Sequence, residues 1–184
     1  VNNDEVIDAD DRVRADRTRV PTWTGGLTFG IKYRGFDLSA LVQGAAGAQT
    51  YIFTESGTIG NFLKSYYDAR WTEDRTDASQ PRAFERENQY WASQQNTHWV
   101  HKTDYVRLKN IELGYSLPSS LLEKVHIKNL RLYVNAYNLL TYSPDMKDFD
   151  PENFDPVNNR NNDNGNGQSY PLQKIINTGV SITF

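Results

Sequence analysis

The sequence predicts an all-β fold: an antiparallel transmembrane β-barrel sector of about five strands, with short turns on one side and long loops on the other. Three observations predict it. Apolar residues occupy every second position in several runs, as in strands with one apolar face. The connections between runs alternate between short and long. Nowhere are there the roughly 18 to 20 consecutive apolar residues that a membrane-spanning helix needs.

The bulk composition excludes several classes of protein. A net charge of -3 over 184 residues offers no basic surface for nucleic acid. The chain has no Cys, which removes disulfides, thiolate nucleophiles and Cys-based zinc sites. This fits a chain that crosses an oxidising periplasm, and it equally fits many cytosolic proteins. No secretion signal follows Val1, so we expect an exported protein to carry its signal upstream.

The first two predicted strands form a tight hairpin. Apolar residues alternate from Leu27 to Tyr33, and the alternation resumes from Phe36 to Ala46. Arg34–Gly35 separates the two runs and is short enough for a two-residue turn. Polar residues of these strands and of a later one fall on the opposite face. We expect these to line the barrel interior: Lys32, Asp37, Gln43 and Glu112.

A long polar and aromatic segment, Gln49–Thr103, follows the hairpin and contains three of the four Trp residues. Within it, Phe62–Trp71 is a candidate short helix. Alternation then returns over Ile111–Leu117, whereas Val106 and Leu108 fall on the opposite parity. This change of parity predicts a β-bulge near Lys109.

The remaining elements follow in the same alternation of short and long connections. Pro118 ends the third strand, and Ser119 and Ser120 are candidate N-caps for a helical turn through Lys124. The fourth strand begins over Leu130–Ala136. The next segment, Ser143–Gln168, is rich in Asn, Asp, Gly and Pro and is predicted to be a loop. The chain closes on an alternating strand, Ile176–Phe184.

Both short connections fall on the same side as the end of the last strand, and both long segments fall opposite. Outer-membrane barrels sort their connections in this way, with short periplasmic turns and long extracellular loops. Five strands are too few to close such a barrel, because the smallest use about eight. We therefore expect neighbouring strands beyond this sequence.

The run Tyr105–Pro118, YVRLKNIELGYSLP, closely resembles a segment typical of SusC/RagA-type TonB-dependent transporters of Bacteroidota. Further segments resemble the family in the same order along the chain. Those downstream are Leu130–Val134, Asn138–Thr141, Asp150–Glu152, Tyr170–Pro171 and the final strand; those upstream are Gly35–Leu38, Gln43–Gly44, Trp71–Thr72 and Pro81–Arg82. The resemblance covers most of the chain.

The resemblance implies a multi-pass protein of the bacterial outer membrane, with about twenty-two strands and a lumen blocked by an N-terminal plug. Residues 1–184 would then be the C-terminal portion of the barrel, with the plug and earlier strands absent. It also implies a SusD-like surface lipoprotein as partner, and import of oligosaccharides or peptides with energy from TonB. The TonB-contacting region would lie outside these residues.

The last strand resembles the assembly signal of outer-membrane proteins. The pattern is a polar residue, a glycine, an apolar residue and a terminal aromatic, here Asn177, Gly179, Ile182 and Phe184. An alternating edge strand offers unpaired backbone groups to insertion machinery, and the ring of Phe184 suits the membrane interface. The alternative is an ordinary terminal strand that ends in Phe.

An acidic stretch near the start resembles most of a calcium-binding loop of the Asp-x-Asn-x-Asp-Gly kind. The candidate ligands are Asn2, Asp4, Asp8 and Asp11, with Ile7 between them. Glu5 stands where such a loop has Gly, which argues against the sharp turn. The alternative is a solvated acidic loop on the extracellular side. No cofactor is otherwise expected.

Four aromatic residues of the first long segment are candidates for contact with a substrate or a lid partner: Trp71, Tyr90, Trp91 and Trp99. The alternative is that they pack the loop itself. His98 and His101 are three residues apart, but no third metal ligand is placed near them, so we expect an incidental pair.

No catalytic motif is recognisable, and the chain is predicted not to be an enzyme. Asp148 and Asp150 form a pair of carboxylates, but their Pro- and Asn-rich loop predicts that both are solvent-exposed. Two other functions stay open at this stage: a soluble β-sandwich that binds carbohydrate through its Trp-rich loop, and a passive outer-membrane porin.

Overall fold

The computed structural model describes residues 4–5, 9–52, 63–82, 96–152 and 170–184. Its strands, in chain order, are β1 (Trp23–Tyr33), β2 (Phe36–Ala46), β3 (Gln49–Tyr51), β4 (Val100–Lys102), β5 (Tyr105–Ser116), β6 (Asn129–Tyr142) and β7 (Ile175–Thr183). The α-helices are α1 (Lys64–Ala69) and α2 (Ser119–Leu122), and short 3-10 turns cover Ala9–Asp11, Thr97–Trp99 and Glu123–Val125. Within the described residues, no helix combines the length and apolarity required to span a membrane.

Five long strands form one antiparallel sheet in the order β1-β2-β5-β6-β7. These are the five strands that the alternation predicted. Two of them extend beyond the predicted runs. β1 begins at Trp23, since Trp23 and Gly25 keep the parity of the later apolar positions. β6 continues to Tyr142, since Leu140 and Tyr142 keep the parity of the earlier apolar positions and only Asn138 interrupts them.

The predicted bulge at Lys109 is confirmed. Leu41 pairs with Asn110 and Val42 with Leu108, so Lys109 has no counterpart on β2. The extra residue returns Leu108 to the apolar face. β6 carries a second irregularity next to it, where Asn138 adopts a φ of 51°. Asn tolerates this left-handed backbone better than most residues with a side chain.

The sheet has one apolar and one polar face. Three rows, apolar except at Thr178, cross all five strands in register: Tyr33, Phe36, Tyr115, Leu132 and Val180; Ile31, Leu38, Leu113, Val134 and Thr178; and Phe29, Ala40, Ile111, Ala136 and Ile176. Many of these side chains are open to solvent, for example Ile31 at 62% and Val180 at 57% exposure. They do not meet one another across a second layer in the described chain.

The two short connections and the end of β7 lie at one end of the sheet, as predicted. Arg34 and Gly35 both have positive φ, at 46° and 87°, as in a type I′ turn. A Cβ on Gly35 would lie 2.9 Å from the carbonyl oxygen of Ser116, so this position requires glycine. The longer connection is held to the sheet by the Lys128 amide, which donates to Thr183 O at 2.8 Å.

The predicted capping of α2 is wrong. The helix begins at Ser119 itself, Pro118 occupies the N-cap position, and no side chain caps the helix. The backbone of Pro118 is still extended, with φ of -59° and ψ of 138°, and the helix begins at the next residue. Ser119 and Ser120 are therefore already inside the helix and cannot cap it.

The first long loop has its own small structure. β3 and β4 pair antiparallel, from Gln49 opposite Lys102 to Tyr51 opposite Val100. The amide of Ile52, which is fully buried, donates to Trp99 O at 2.9 Å. The predicted helix is present as the shorter α1. This packed unit lies at the end of the sheet opposite the short turns.

Candidate functional site: the polar face and the outer loops

The four residues predicted to line the interior all lie on the polar face of the sheet. Lys32 is directly opposite Asp37, Gln43 is opposite Arg107, and Glu112 lies in the next row from Asp37. Because the side chains of a strand alternate, none of them shares a face with the apolar rows. Their common face is therefore confirmed.

Arg131 joins three strands across this face, and sequence reasoning missed it. Its Nε donates to Asp37 Oδ2 at 2.9 Å, and its Nη2 donates to Glu112 Oε1 at 2.8 Å, with a further short contact to Asp37 Oδ1. The guanidinium lies directly over Gly114, where a Cβ would collide with it. The signal available in the sequence was Gly114, which leaves space beside two carboxylates on neighbouring strands, Asp37 and Glu112.

A second charged cluster lies nearer the long loops and is more deeply buried. Arg107 is 1% exposed, and its Nη2 donates to Asp150 Oδ1 at 2.8 Å. Arg107 Nη1 lies 3.0 Å from Glu152 Oε2. Lys109 Nζ donates to both oxygens of Glu152, at 2.7 and 2.8 Å. Two cations of β5 thus face two carboxylates of the loop that follows β6.

The prediction that Asp150 is solvent-exposed is wrong. Its side chain is 6% exposed and, besides Arg107, it accepts the backbone N–H of Glu152 at 2.9 Å and of Leu172 at 3.0 Å. A carboxylate so deeply buried is stable only when paired and hydrogen-bonded in this way. Asp148 is exposed as predicted, although it accepts a hydrogen bond from Ser65 Oγ at 2.8 Å.

The structure separates the candidate aromatic residues. Trp99 is 3% exposed and its ring stacks on Tyr66, with centroids 6.0 Å apart and planes at 12°. Its burial favours the alternative, in which it packs the loop, and its contact with a substrate or a lid partner stays a prediction. Trp71 is 36% exposed and lies at the surface of the loop. Tyr90 and Trp91 lie outside the described residues.

The two histidines have different neighbours. His98 Nε2 lies 3.0 Å from Gln80 Oε1, and His101 Nε2 lies 3.4 Å from Tyr66 Oη. Burial lowers the pKa of both, and for His101 the nearby Asp145 opposes the decrease. In the part of the chain that the structure describes, no three or more His, Asp or Glu side chains gather as metal ligands.

The acidic stretch near the start is only partly described. Asp4 and Asp11 fall within the described residues, whereas Asn2 and Asp8 lie outside them. Glu5 has a φ of 66°, so it adopts the left-handed backbone that the glycine of a calcium loop provides. The calcium site stays a prediction.

The residues of the predicted assembly signal lie at an edge of the sheet. Asn177, Gly179 and Ile182 belong to β7, which pairs with β6 on one side and with no other described strand on the other. The ring of Tyr133 covers Gly179. Phe184 follows the strand and is 76% exposed. Recognition by insertion machinery stays a prediction.

The sequence and the structure were compared with those of known proteins. No model of a protein family matches the sequence. Two receptors of Formosa agariphila do: TonB-dependent receptor P3 is 32% identical and matches 99% of this chain, and TonB-dependent receptor P26 is 30% identical and matches all of it. The chain spans only 18% and 19% of their respective lengths.

Solved structures of the RagAB peptide importer match over 97% of this chain at 30% identity. The TM-score is 0.69 for its open-open state and 0.70 for its closed-closed state, and this chain covers 19% of the matched chain in each. The chain belongs to the SusC/RagA type of TonB-dependent receptor. The expected fold class is thereby confirmed: the antiparallel sheet of this receptor segment is a sector of a transmembrane β-barrel, with short turns at one end and long loops at the other.

Proposed function

We propose that this chain is the C-terminal portion of the barrel of an outer-membrane receptor that imports oligosaccharides or peptides with energy from TonB. The observation that carries the proposal is the uncovered apolar face, which continues across all five long strands of a chain similar to TonB-dependent receptors throughout its length. Such a face suits lipid, because an apolar surface of this extent is rare on soluble monomers.

The height of the apolar face supports a position in the outer membrane. On β1, Trp23 and Tyr33 are 75% and 64% exposed and stand at the two ends of an 11-residue strand. The ten intervals between them, at about 3.4 Å each and with a strand tilt of about 40°, give a height of about 26 Å. This is close to the apolar band of outer-membrane barrels, which is about 25 Å tall and carries aromatic rings at its borders.

The polar face would line the lumen. Its central carboxylates, Asp37 and Glu112, are both paired with Arg131, so they form a wall rather than a free binding site for a charged substrate. Selection of the substrate would then fall to the outer loops, to other parts of the barrel and to a partner. No catalytic role is proposed for any of these residues.

Two partners follow from the proposal. A SusD-like surface lipoprotein would cover the side that carries the long loops, and TonB would contact a region outside these residues. The similarity to a peptide importer supports peptides as one substrate class, and oligosaccharides are the other. The proposed location of the receptor is the bacterial outer membrane.

The decisive experiment is uptake of fluorescently labelled peptides and oligosaccharides by cells that carry the full-length receptor, with and without a functional TonB. Import that stops when TonB is lost supports the proposal. Uptake that persists without TonB identifies a passive porin instead. A matched strain without the receptor gives the background.

A further inference from the structure

Residues 143–152, here called the strap, follow β6 and run back along two other parts of the molecule. Ser143 Oγ donates to Asp104 O at 2.8 Å, where β4 meets β5. Asp148 accepts from Ser65 of α1, and Asp150 accepts from Arg107 of β5. A segment without helix or strand is thus held at intervals of a few residues by groups far away in sequence.

The innermost of these attachments is the buried pair of Arg107 and Asp150. Asp150 also accepts the amide of Leu172, which lies just before β7, so one carboxylate joins β5, the strap and the approach to the last strand. Glu152 adds contacts to Arg107 and Lys109. Removing one partner of such a buried pair leaves an uncompensated charge, so this attachment resists opening more than an exposed pair does.

The outermost attachment reaches the first long loop. Ser65 lies in α1, and its neighbour Tyr66 stacks on Trp99, the residue that immediately precedes β4. Contact therefore continues from Arg107 on the sheet through the strap to α1 and to the β3–β4 pair. Met146 of the strap is 3% exposed, which shows that the strap is packed as well as hydrogen-bonded.

We propose that the strap couples the two long loops mechanically, with the Arg107–Asp150 pair as its latch. While the latch is closed, the strap keeps α1 and the β3–β4 pair fixed relative to the barrel wall. When it opens, the strap and the first loop loosen together. The inference goes beyond the proposed transport, because it holds whatever the receptor imports.

The test is amide hydrogen exchange on the full-length receptor in detergent micelles. Asp150→Asn removes the charge of the latch and retains its size. We expect exchange to accelerate at least tenfold over residues 143–152 and also over α1 and β4, while β1 and β2 retain their protection. Should this variant fail to assemble, Glu152→Gln, at a more exposed position, is measured in its place with an expected acceleration of about threefold.

Two further variants isolate the coupling. Ser65→Ala removes the hydrogen bond between strap and α1, so in its background Asp150→Asn should still accelerate the strap but accelerate α1 less than it does with Ser65 intact. Lys64→Gln is the matched control, because the ion pair of Lys64 is with Asp68 on the same helix. Acceleration confined to the strap with Ser65 intact, or no acceleration anywhere, would overturn the inference. Loss of import alone would bear on the proposed function and not on the latch.

Discussion

At the scale of single residues, Gly114 owes its importance to Arg131 on the adjacent strand β6. The guanidinium of Arg131 passes over Gly114 to reach Asp37, and it also lies 5.3 Å from the ring centroid of Tyr133. Any side chain at position 114 would displace the cation from both carboxylates. The glycine is therefore part of the ion-pair network even though it has no polar side chain.

Gly114→Ala should lower the stability of the receptor by about 1 to 3 kcal/mol, the range typical of overpacking. The measurement is the midpoint of urea unfolding of the full-length receptor in detergent. Gly30→Ala is the control, since its Cβ would meet Leu38 O at an ordinary 3.6 Å on the same face. If Gly114→Ala is equally destabilising in an Arg131→Ala background, the steric explanation fails.

A second residue-scale prediction concerns pH. Asp104 lies between β4 and β5; burial raises its pKa, but the hydrogen bonds from Arg17 and from the amide of Gly47 outweigh burial and hold the pKa below its usual value. A lowered carboxyl pKa gives stability that is present above the unfolded value of about 3.9 and is lost as pH falls through the folded value.

Acidification below about pH 4 should therefore release the segment around Arg17 from the sheet, because Asp104 becomes protonated. Protease cleavage near Arg17, measured across acidic pH with an acid-active protease, should increase over that range. In Asp104→Asn, cleavage should already be high at the upper end of that acidic range and should change less than in the wild type on acidification. The same pH dependence of cleavage in the wild type and in Asp104→Asn would contradict this account.

At the scale of elements, neighbouring residues of β1 provide a direct test of which face meets lipid. Phe29 belongs to an apolar row and Thr28 to the polar face. Phe29→Arg should lower stability by about 2 to 4 kcal/mol, the cost of a cation at the lipid-facing midplane, whereas Thr28→Arg should cost less than about 1 kcal/mol. For both variants, the measurement is the temperature up to which the barrel remains folded on electrophoresis. Equal losses would mean that the faces are wrongly assigned.

How much of these elements could be predicted depends on the range of the interactions that form them. The long strands, and even the bulge at Lys109, could be predicted because a period of two is written locally in the sequence. β3 and β4 are only three residues each, too short for any period, and their pairing joins residues about fifty positions apart. Such a pairing is decided by tertiary packing.

The charged clusters could be predicted only in part, for the same reason. Alternation assigned Asp37 and Glu112 to the polar face correctly, but it gives no partner for them. The burial of Asp150 depends on Arg107, 43 residues away, and the local composition of its loop indicated exposure instead. The buried ring of Trp99 likewise stacks on Tyr66, 33 residues away. Composition describes an average environment, whereas a specific long-range contact determines these positions.

At the scale of the whole molecule, the segment has more surface than a self-contained protein. Its accessible surface is 13835 Å², whereas a compact monomer of 21.1 kDa has about 9000 Å². The excess accords with a single sheet whose apolar face is uncovered. β1 and β7 each lack a second strand neighbour among the described residues. Both features are properties of a sector rather than of a closed barrel.

Residues 1–184 expressed alone should therefore aggregate without detergent, because both sheet edges and the apolar face remain unsatisfied in water. Sedimentation velocity of refolded material in buffer measures this, and we expect large, heterogeneous species. The full-length receptor in detergent, where the missing strands and a substitute for lipid are supplied, is the control and should sediment as a defined particle. A soluble monomer of residues 1–184 that unfolds cooperatively would instead identify a β-sandwich, and the assignment of the apolar face to lipid would have to be abandoned.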